Sequence, residues 1–256
     1  MKIGIFDSGV GGITVLAEAL KELPREDYLY YADTKHVPYG EKPKEIVHQY
    51  IFEAVEQMIA GGIKALVLAC NTATSIAADS LRAKYPFPVL GMEPAVKPAV
   101  LKNDDQGRRV LVFATTLTLK ESKFQHLVAR VDQHHIVDFL PLPELVEFAE
   151  TQQFDPEVVV PCLRQKLSQL DLAQYGTVVL GCTHFPFFTD HLRQVLPAGV
   201  DIIDGAAGTV RHLKNVLTDN DLLEQGQGQV TFNSSGDRQQ DAARFARALD
   251  LIRSLR

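Results

Sequence analysis

Two of the three cysteines in the chain end apolar runs. LVLACNTAT (66–74) reaches Cys70 and then turns polar with Asn71 and Thr72, and VVLGCTHF (178–185) reaches Cys182, Thr183 and His184. A free thiol titrates near 8.5, and a helix N-terminus or an adjacent base moves it within reach of neutral-pH chemistry. Asp7 is placed to serve Cys70, and His184, two residues past Cys182, to serve the second thiol. Two acid/base groups on opposite faces of one carbon perform a distinctive reaction. One removes the α-proton, the other returns a proton to the far face, and configuration inverts without a cofactor.

Any one of these residues has an ordinary structural explanation. A lone cysteine is commonly a small buried hydrophobe, and Ser8, Thr72 or Thr115 taken singly is a helix cap. What sets them apart is repetition. RRVLVFATTLTL (108–119) repeats the character of KIGIFDSGVGG (2–12), a strand that empties into small and hydroxyl residues, and TVVLGCTHF (177–185) mirrors ALVLACNTA (65–73). The cysteines at 70 and 182 are 112 positions apart, and the strand openings Ile3 and Val110 are 107 apart. Such similar offsets predict an internal duplication with about four strands in each half.

The elements needed to position these residues follow a β-then-α rhythm. Strands are predicted at 2–6, 28–32 and 64–69, the last continuously apolar as a parallel strand covered on both faces should be. Ile13, Leu16, Leu20 and Leu23 recur at helical spacing until Pro24; a longer helix begins near Pro43, carries Val47, Ile51, Val55 and Ile59 on one face, and stops at Gly61-Gly62. In the second half, strands are expected at 108–114, 135–140 and 177–181, with a helix over 155–174; His134-His135 falls at that middle strand and reads as structural. The predicted class is α/β: two pseudo-symmetric, doubly wound lobes with mostly parallel sheets and an active site in the cleft between them. One lobe takes residues 1–98 plus 205–256, the tail supplying a strand at 229–234 and a helix at 237–253; the other takes 99–204, with 93–100 as the crossover.

Ligands of such sheets bind beyond the carboxyl ends of the strands. Asp7-Ser8, Cys70-Asn71-Thr72, Thr115-Thr116 and Cys182-Thr183-His184 all fall there, each where a helix is expected to begin, so free N–H groups favour a small anion such as a carboxylate. DSGVGG lacks the Lys-Ser/Thr of a Walker loop and does not fit GxGxxG, so its glycines are expected to let the backbone approach a small ligand. No CxxC or HExxH occurs, and neither a metal nor a cofactor is expected.

Composition narrows the classes further. The 256 residues are 46% hydrophobic and 23% charged with a net charge of −6, which fits a globular protein and argues against a nucleic-acid partner. No secretory signal and no apolar stretch of about 20 residues is present, so no membrane partner and a cytoplasmic location are expected. Three cysteines in a reducing compartment predict free thiols.

DSGVGG (7–12), VPYG (37–40), ACNTAT (69–74), GMEPAVKPA (91–99) and GCTHFP (181–186), in order over nearly the whole chain, resemble the cofactor-independent glutamate racemases of bacterial cell-wall synthesis. The resemblance implies that Cys70 and Cys182 are the proton donors and acceptors, assisted by Asp7 and His184. It also implies substrate contacts from Asp7, Ser8, Pro38, Tyr39, Gly40, Asn71, Thr72, Thr115, Thr118, Thr183 and His184. Glu147, in ELVE, resembles the family's glutamate that supports the second thiol. Glutamate as the small-molecule substrate and a homodimer are implied in the same way. Some relatives carry an N-terminal extension linked to activation by a cell-wall precursor; this chain starts at its first strand, and no such activation is expected. Departures include Ala114, where the family often has Gly. An aspartate racemase typically has Glu after CT, where this chain has His184. A non-catalytic amino-acid-binding module and a thiol redox protein using Cys162 are the readings from other classes.

Overall fold

A computed structural model describes residues 1–92 and 94–255. Glu93, part of the expected crossover and of the GMEPAVKPA motif, lies outside the described residues. Nine strands are described: β1 (Lys2–Asp7), β2 (Tyr28–Ala32), β3 (Ile63–Leu68), β4 (Val89–Gly91), β5 (Arg109–Ala114), β6 (Val137–Pro141), β7 (Tyr175–Leu180), β8 (Asp201–Asp204) and β9 (Val230–Ser234). They form two sheets, ordered β4-β3-β1-β2-β9 and β6-β5-β7-β8. Every pairing is parallel.

Without β9, the first sheet has the same order as the second once β1 is matched to β5, β2 to β6, β3 to β7 and β4 to β8. The likeness extends to a local irregularity: register shifts between Lys2 and Ile3 where β1 meets β3, and between Arg109 and Val110 where β5 meets β7. This is the doubly wound order whose switch point lies between the first and third strands, so each sheet opens its ligand crevice at β1/β3 or β5/β7. Cys70 and Cys182 follow the third strand of their respective halves.

Strand alternation sorts the core. Ile3, Ile5, Ala65 and Val67 turn to one face of the first sheet and join Leu111, Phe113 and Val178 of the second in a continuous apolar cluster. Phe6, Leu66 and Leu68 turn to the other face, under helices Lys44–Ala60 and Asn71–Lys84. The tail returns to the first sheet: β9 pairs with β2, and helix Arg238–Ser254 packs on β9 and on helix Ile13–Glu22. Helix Val96–Asn103 packs on β5 and β7, so residues 96–98 lie with the second sheet rather than the first.

Two expected elements are shorter than their sequence pattern suggested. Helix Pro156–Leu167 stops well before 174, and only a 3-10 turn, Leu172–Gln174, follows. Val137, not His135, opens β6; His135 has φ 56°, in the left-handed region, and His134 pairs with Asp104 at 2.6 Å. A left-handed residue reverses the chain and cannot continue a strand.

At the amino end of β3, Lys64 Nζ meets Glu26 Oε2 at 2.6 Å, both side chains 3% exposed. Glu26 Oε1 also accepts the Glu224 N–H, tying the tail loop to the sheet. Lys64→Met leaves the Glu26 carboxylate buried without its cation and should cost about 3–5 kcal/mol. Urea unfolding checks this, with Glu26→Gln added to Lys64→Met recovering much of the loss.

Candidate active site

The carboxyl ends of the two sheets face one another across a cavity of about 20 Å³. Both cysteines line it, 6% and 7% exposed. That volume is about what one water molecule occupies, so the lobes are closed down on the site.

From the first sheet, β1 ends on Asp7, whose carboxylate accepts from the Gly9 N–H at 3.0 Å and from the Thr183 hydroxyl at 3.0 Å. The Asp7 side chain is fully buried, and burial pushes its carboxyl up to about 6, partly countered by the charge of His184. Cys70 caps helix Asn71–Lys84. Its Sγ accepts from the Ala73 N–H at 3.4 Å and donates to Ser8 Oγ at 3.8 Å. Burial, reinforced by the Asp7 carboxylate, pushes this thiol up to about 12. Tyr39 and Gly40 enter from the loop after β2, where Tyr39 donates its hydroxyl to Asp33 Oδ2 at 2.5 Å and His36 Nδ1 lies 2.8 Å from Asp33 Oδ1.

From the second sheet, Thr115 caps the short helix Thr116–Lys120. Thr72, Thr115 and Thr118 form a triangle of hydroxyls with edges of 3.0 to 3.1 Å, joining the lobes beside the cavity. Cys182 Sγ lies 3.6 Å from His184 Nδ1, and His184 Nε2 lies 2.6 Å from Glu150 Oε1. Burial opposes a charge on His184, but its contacts with Cys182 and Glu150 outweigh this and hold the imidazole well above its usual range. Burial likewise opposes the Glu150 carboxylate, and the His184 hydrogen bond and nearby Arg244 hold it below its usual range. Cys182 therefore has a cationic neighbour where Cys70 has an anionic one.

The structure brings most of the expected residues to one place. Ser8, Pro38, Tyr39, Gly40, Cys70, Asn71, Thr72, Thr115, Cys182, Thr183 and His184 line the cavity. Asp7 and Thr118 stand behind it, bonded to residues that do. Glu147 does not belong here: it is exposed, and Glu150 makes the contact with His184. The reason is helical phase. Helix Pro143–Glu150 turns Val146 into the cavity, and Glu150, four residues later, shares that face.

Two further expectations change. Helices begin directly at Cys70 and Thr115, but a loop follows β1, and a 3-10 turn, Phe185–Phe188, follows His184. Two of the DSGVGG glycines make room for the opposite lobe: a Cβ on Gly9 would lie 1.7 Å from Glu150 Oε1, and one on Gly11 2.4 Å from Thr183 Oγ1, while one on Gly12 would meet Asp7 of its own lobe at 2.5 Å. Val146, Gly181, Asp33 and Glu150 were not singled out by sequence. The i, i+4 spacing of Val146 and Glu150 was the available signal.

The buried Asp7 also makes a stability prediction. An acid raised from 3.8 to about 6 weakens the fold above that value, and the penalty fades as pH falls through 6 toward 3.8. Asp7→Asn should therefore be more stable than the parent above pH 6, by roughly 3 kcal/mol at most, with the advantage vanishing in acid. Urea midpoints across pH check it.

Residues 13–213 match a family model described as Asp/Glu/Hydantoin racemase. A glutamate racemase of Halothermothrix orenii is 55% identical over the whole of both chains, and glutamate racemase 2 of Bacillus subtilis is 52% identical over 98% of this chain and 96% of its own. The solved structure of glutamate racemase from Thermus thermophilus, in complex with β-chloro-D-alanine, superposes with a TM-score of 0.81 at 34% identity, covering 96% of this chain and 92% of that one.

Proposed function

The chain belongs to the Asp/Glu/hydantoin racemase family, and from that premise we propose that it interconverts L- and D-glutamate by moving the α-proton between Cys70 and Cys182, without a cofactor. The observation that carries this reading is that two thiols at equivalent strand ends line one small cavity.

In one direction, a thiolate takes the α-proton from one face of the substrate, and the electron pair left on carbon spreads into the α-carboxylate. The opposite thiol then gives its S–H proton to the other face. The first sulfur ends as a thiol and the second as a thiolate, so the enzyme is ready for the reverse reaction. Burial beside Asp7 holds Cys70 in its thiol form at rest, and Cys182 lies 3.6 Å from His184 Nδ1, within reach of the imidazolium. Asp7 answers the substrate ammonium, whose charge in turn eases ionisation of Cys70 when it must act as base. Amides at the start of helix Asn71–Lys84, where no intrahelical acceptor precedes them, suit a carboxylate.

Both thiols are nearly closed off from solvent, so substrate access requires the lobes to part. The bodies that move are residues 1–92 with 205–255 and residues 96–204. The same reading places the protein in the cytoplasm as a homodimer, supplying D-glutamate for peptidoglycan. Among the described residues, no helix is long and apolar enough to cross a membrane.

The test is incubation with L-glutamate in deuterated water without added cofactor. Optical rotation should fall to zero while deuterium enters the α-position, and L-aspartate should turn over far more slowly. Binding without exchange would convert the reading to a binding module, and preference for aspartate would overturn the substrate.

A further inference from the structure

The contacts around His184 do not end at Glu150. Helix Arg238–Ser254 packs with the first sheet, where Phe245 meets Tyr30 edge-on at 5.1 Å. From this helix Arg244 reaches the end of helix Pro143–Glu150. Its Nη1 donates to the Glu150 carbonyl oxygen at 3.2 Å and lies 3.1 Å from Glu150 Oε2. Arg244 Nη2 lies 3.4 Å from Asp241 Oδ1, and Asp241 Oδ2 accepts from the Thr34 hydroxyl at 2.6 Å. Glu150 Oε1 takes the Val10 N–H at 2.7 Å together with His184 Nε2. A continuous line of contacts thus runs from the C-terminal helix to Cys182 Sγ.

We infer that Arg244 is a positioning residue for the racemisation: it holds the end of helix Pro143–Glu150 and the Glu150 carboxylate, and through Glu150 keeps the His184 imidazole within reach of Cys182. The inference rests on the two-thiol reading above. Arg244 does not line the cavity, so its effect must pass through Glu150. The Glu150 side chain is only 12% exposed and carries a cation on each oxygen, His184 on Oε1 and Arg244 on Oε2. Val10 and Arg244 come from the first lobe while Glu150 and His184 come from the second, so the orientation of His184 depends on the lobes meeting.

The charged and titratable groups around Glu150 set the sign of a pH effect. His184 and Arg244 touch it, Asp7 and Tyr30 face it from β1 and β2, and Asp241 stands behind Arg244. Removing the Arg244 charge removes an attraction that holds the carboxyl low, so Glu150 is protonated at higher pH and releases His184 sooner as the solution is acidified.

The experiment compares wild type, Arg244→Gln and Arg244→Lys in racemisation of both glutamate enantiomers across pH, with melting curves for each. Arg244→Gln should lose about ten- to a hundred-fold in kcat, keep KM near the parent value, and show the acid limb of kcat/KM moved upward. Arg244→Lys, which keeps the charge but not the planar fork, should return the acid limb toward wild type. An unchanged kcat and acid limb in Arg244→Gln would overturn the inference, as would a loss uniform across pH in both variants. If Arg244→Gln does not fold, Arg244→Met takes its place and is read in the same way: an unchanged kcat and acid limb overturns the inference, and a lowered kcat with the acid limb moved upward upholds it. A wild-type protein that fails to racemise glutamate overturns the reading beneath it instead.

Discussion

Cys70→Ser and Cys182→Ser should each lose at least about 10³-fold in glutamate racemisation while remaining folded. Serine is close to cysteine in shape, so the buried site keeps its packing, but a hydroxyl does not ionise near neutrality as a thiol can. Each variant loses one face of the reaction. The remaining thiol still faces the α-hydrogen of one enantiomer, so slow deuterium exchange with retention should survive for one isomer in Cys70→Ser and for the other in Cys182→Ser. Proton NMR of D- and L-glutamate incubated separately in deuterated water reads this directly. Exchange of the same enantiomer by both variants, or full racemisation by either, would rule out thiols on opposite faces.

Glu150→Gln is expected to have the second-largest effect. The substitution keeps the side-chain length and an oxygen for the Val10 N–H, but it removes the negative charge 2.6 Å from His184 Nε2. A buried imidazolium without its counter-ion gives up its proton, so Cys182 loses its cationic partner. The expected loss is about 10²- to 10³-fold in kcat/KM. Stability should fall as well, by about 3–5 kcal/mol, because the change breaks a buried pair rather than replacing both members.

The pH window of that stability loss follows from the two partners. Glu150 is held below its usual value, so its contribution is present above 4.5 and is lost as pH falls through the folded value. His184 is held above its usual value, so its contribution is full below 6.5 and is lost as pH rises through the folded value. The gap between wild type and Glu150→Gln should therefore be widest between 4.5 and 6.5, as measured by urea unfolding. A gap that is flat with pH would show that the pair is not ionised in the fold.

Much of the site was legible because its residues sit where one-dimensional patterns are strongest. A buried parallel strand is an unbroken apolar run, and the residue after it points out of the sheet's carboxyl end whatever the rest of the fold does. That placed Asp7, Cys70, Thr115 and Cys182 without tertiary information, and the repeat of one pattern in both halves indicated two lobes. Helix extent was less legible. Periodic residues continue past Leu167, but the helix stops there.

The sequence by itself determined which groups could do proton chemistry and that they belong to matching ends of two similar sheets, because strand period and residue type are local properties of the chain. Only the tertiary structure decided which glutamate serves His184. The sequence pointed to Glu147, and the choice of Glu150 instead depends on which face of helix Pro143–Glu150 the core takes, a contest won by burying Leu145, Val146 and Ala149. Tertiary structure also gave Gly9 and Gly11 their purpose and brought Arg244 to the end of that helix. Both depend on how closely one lobe approaches the other, a distance set by packing between segments far apart in sequence.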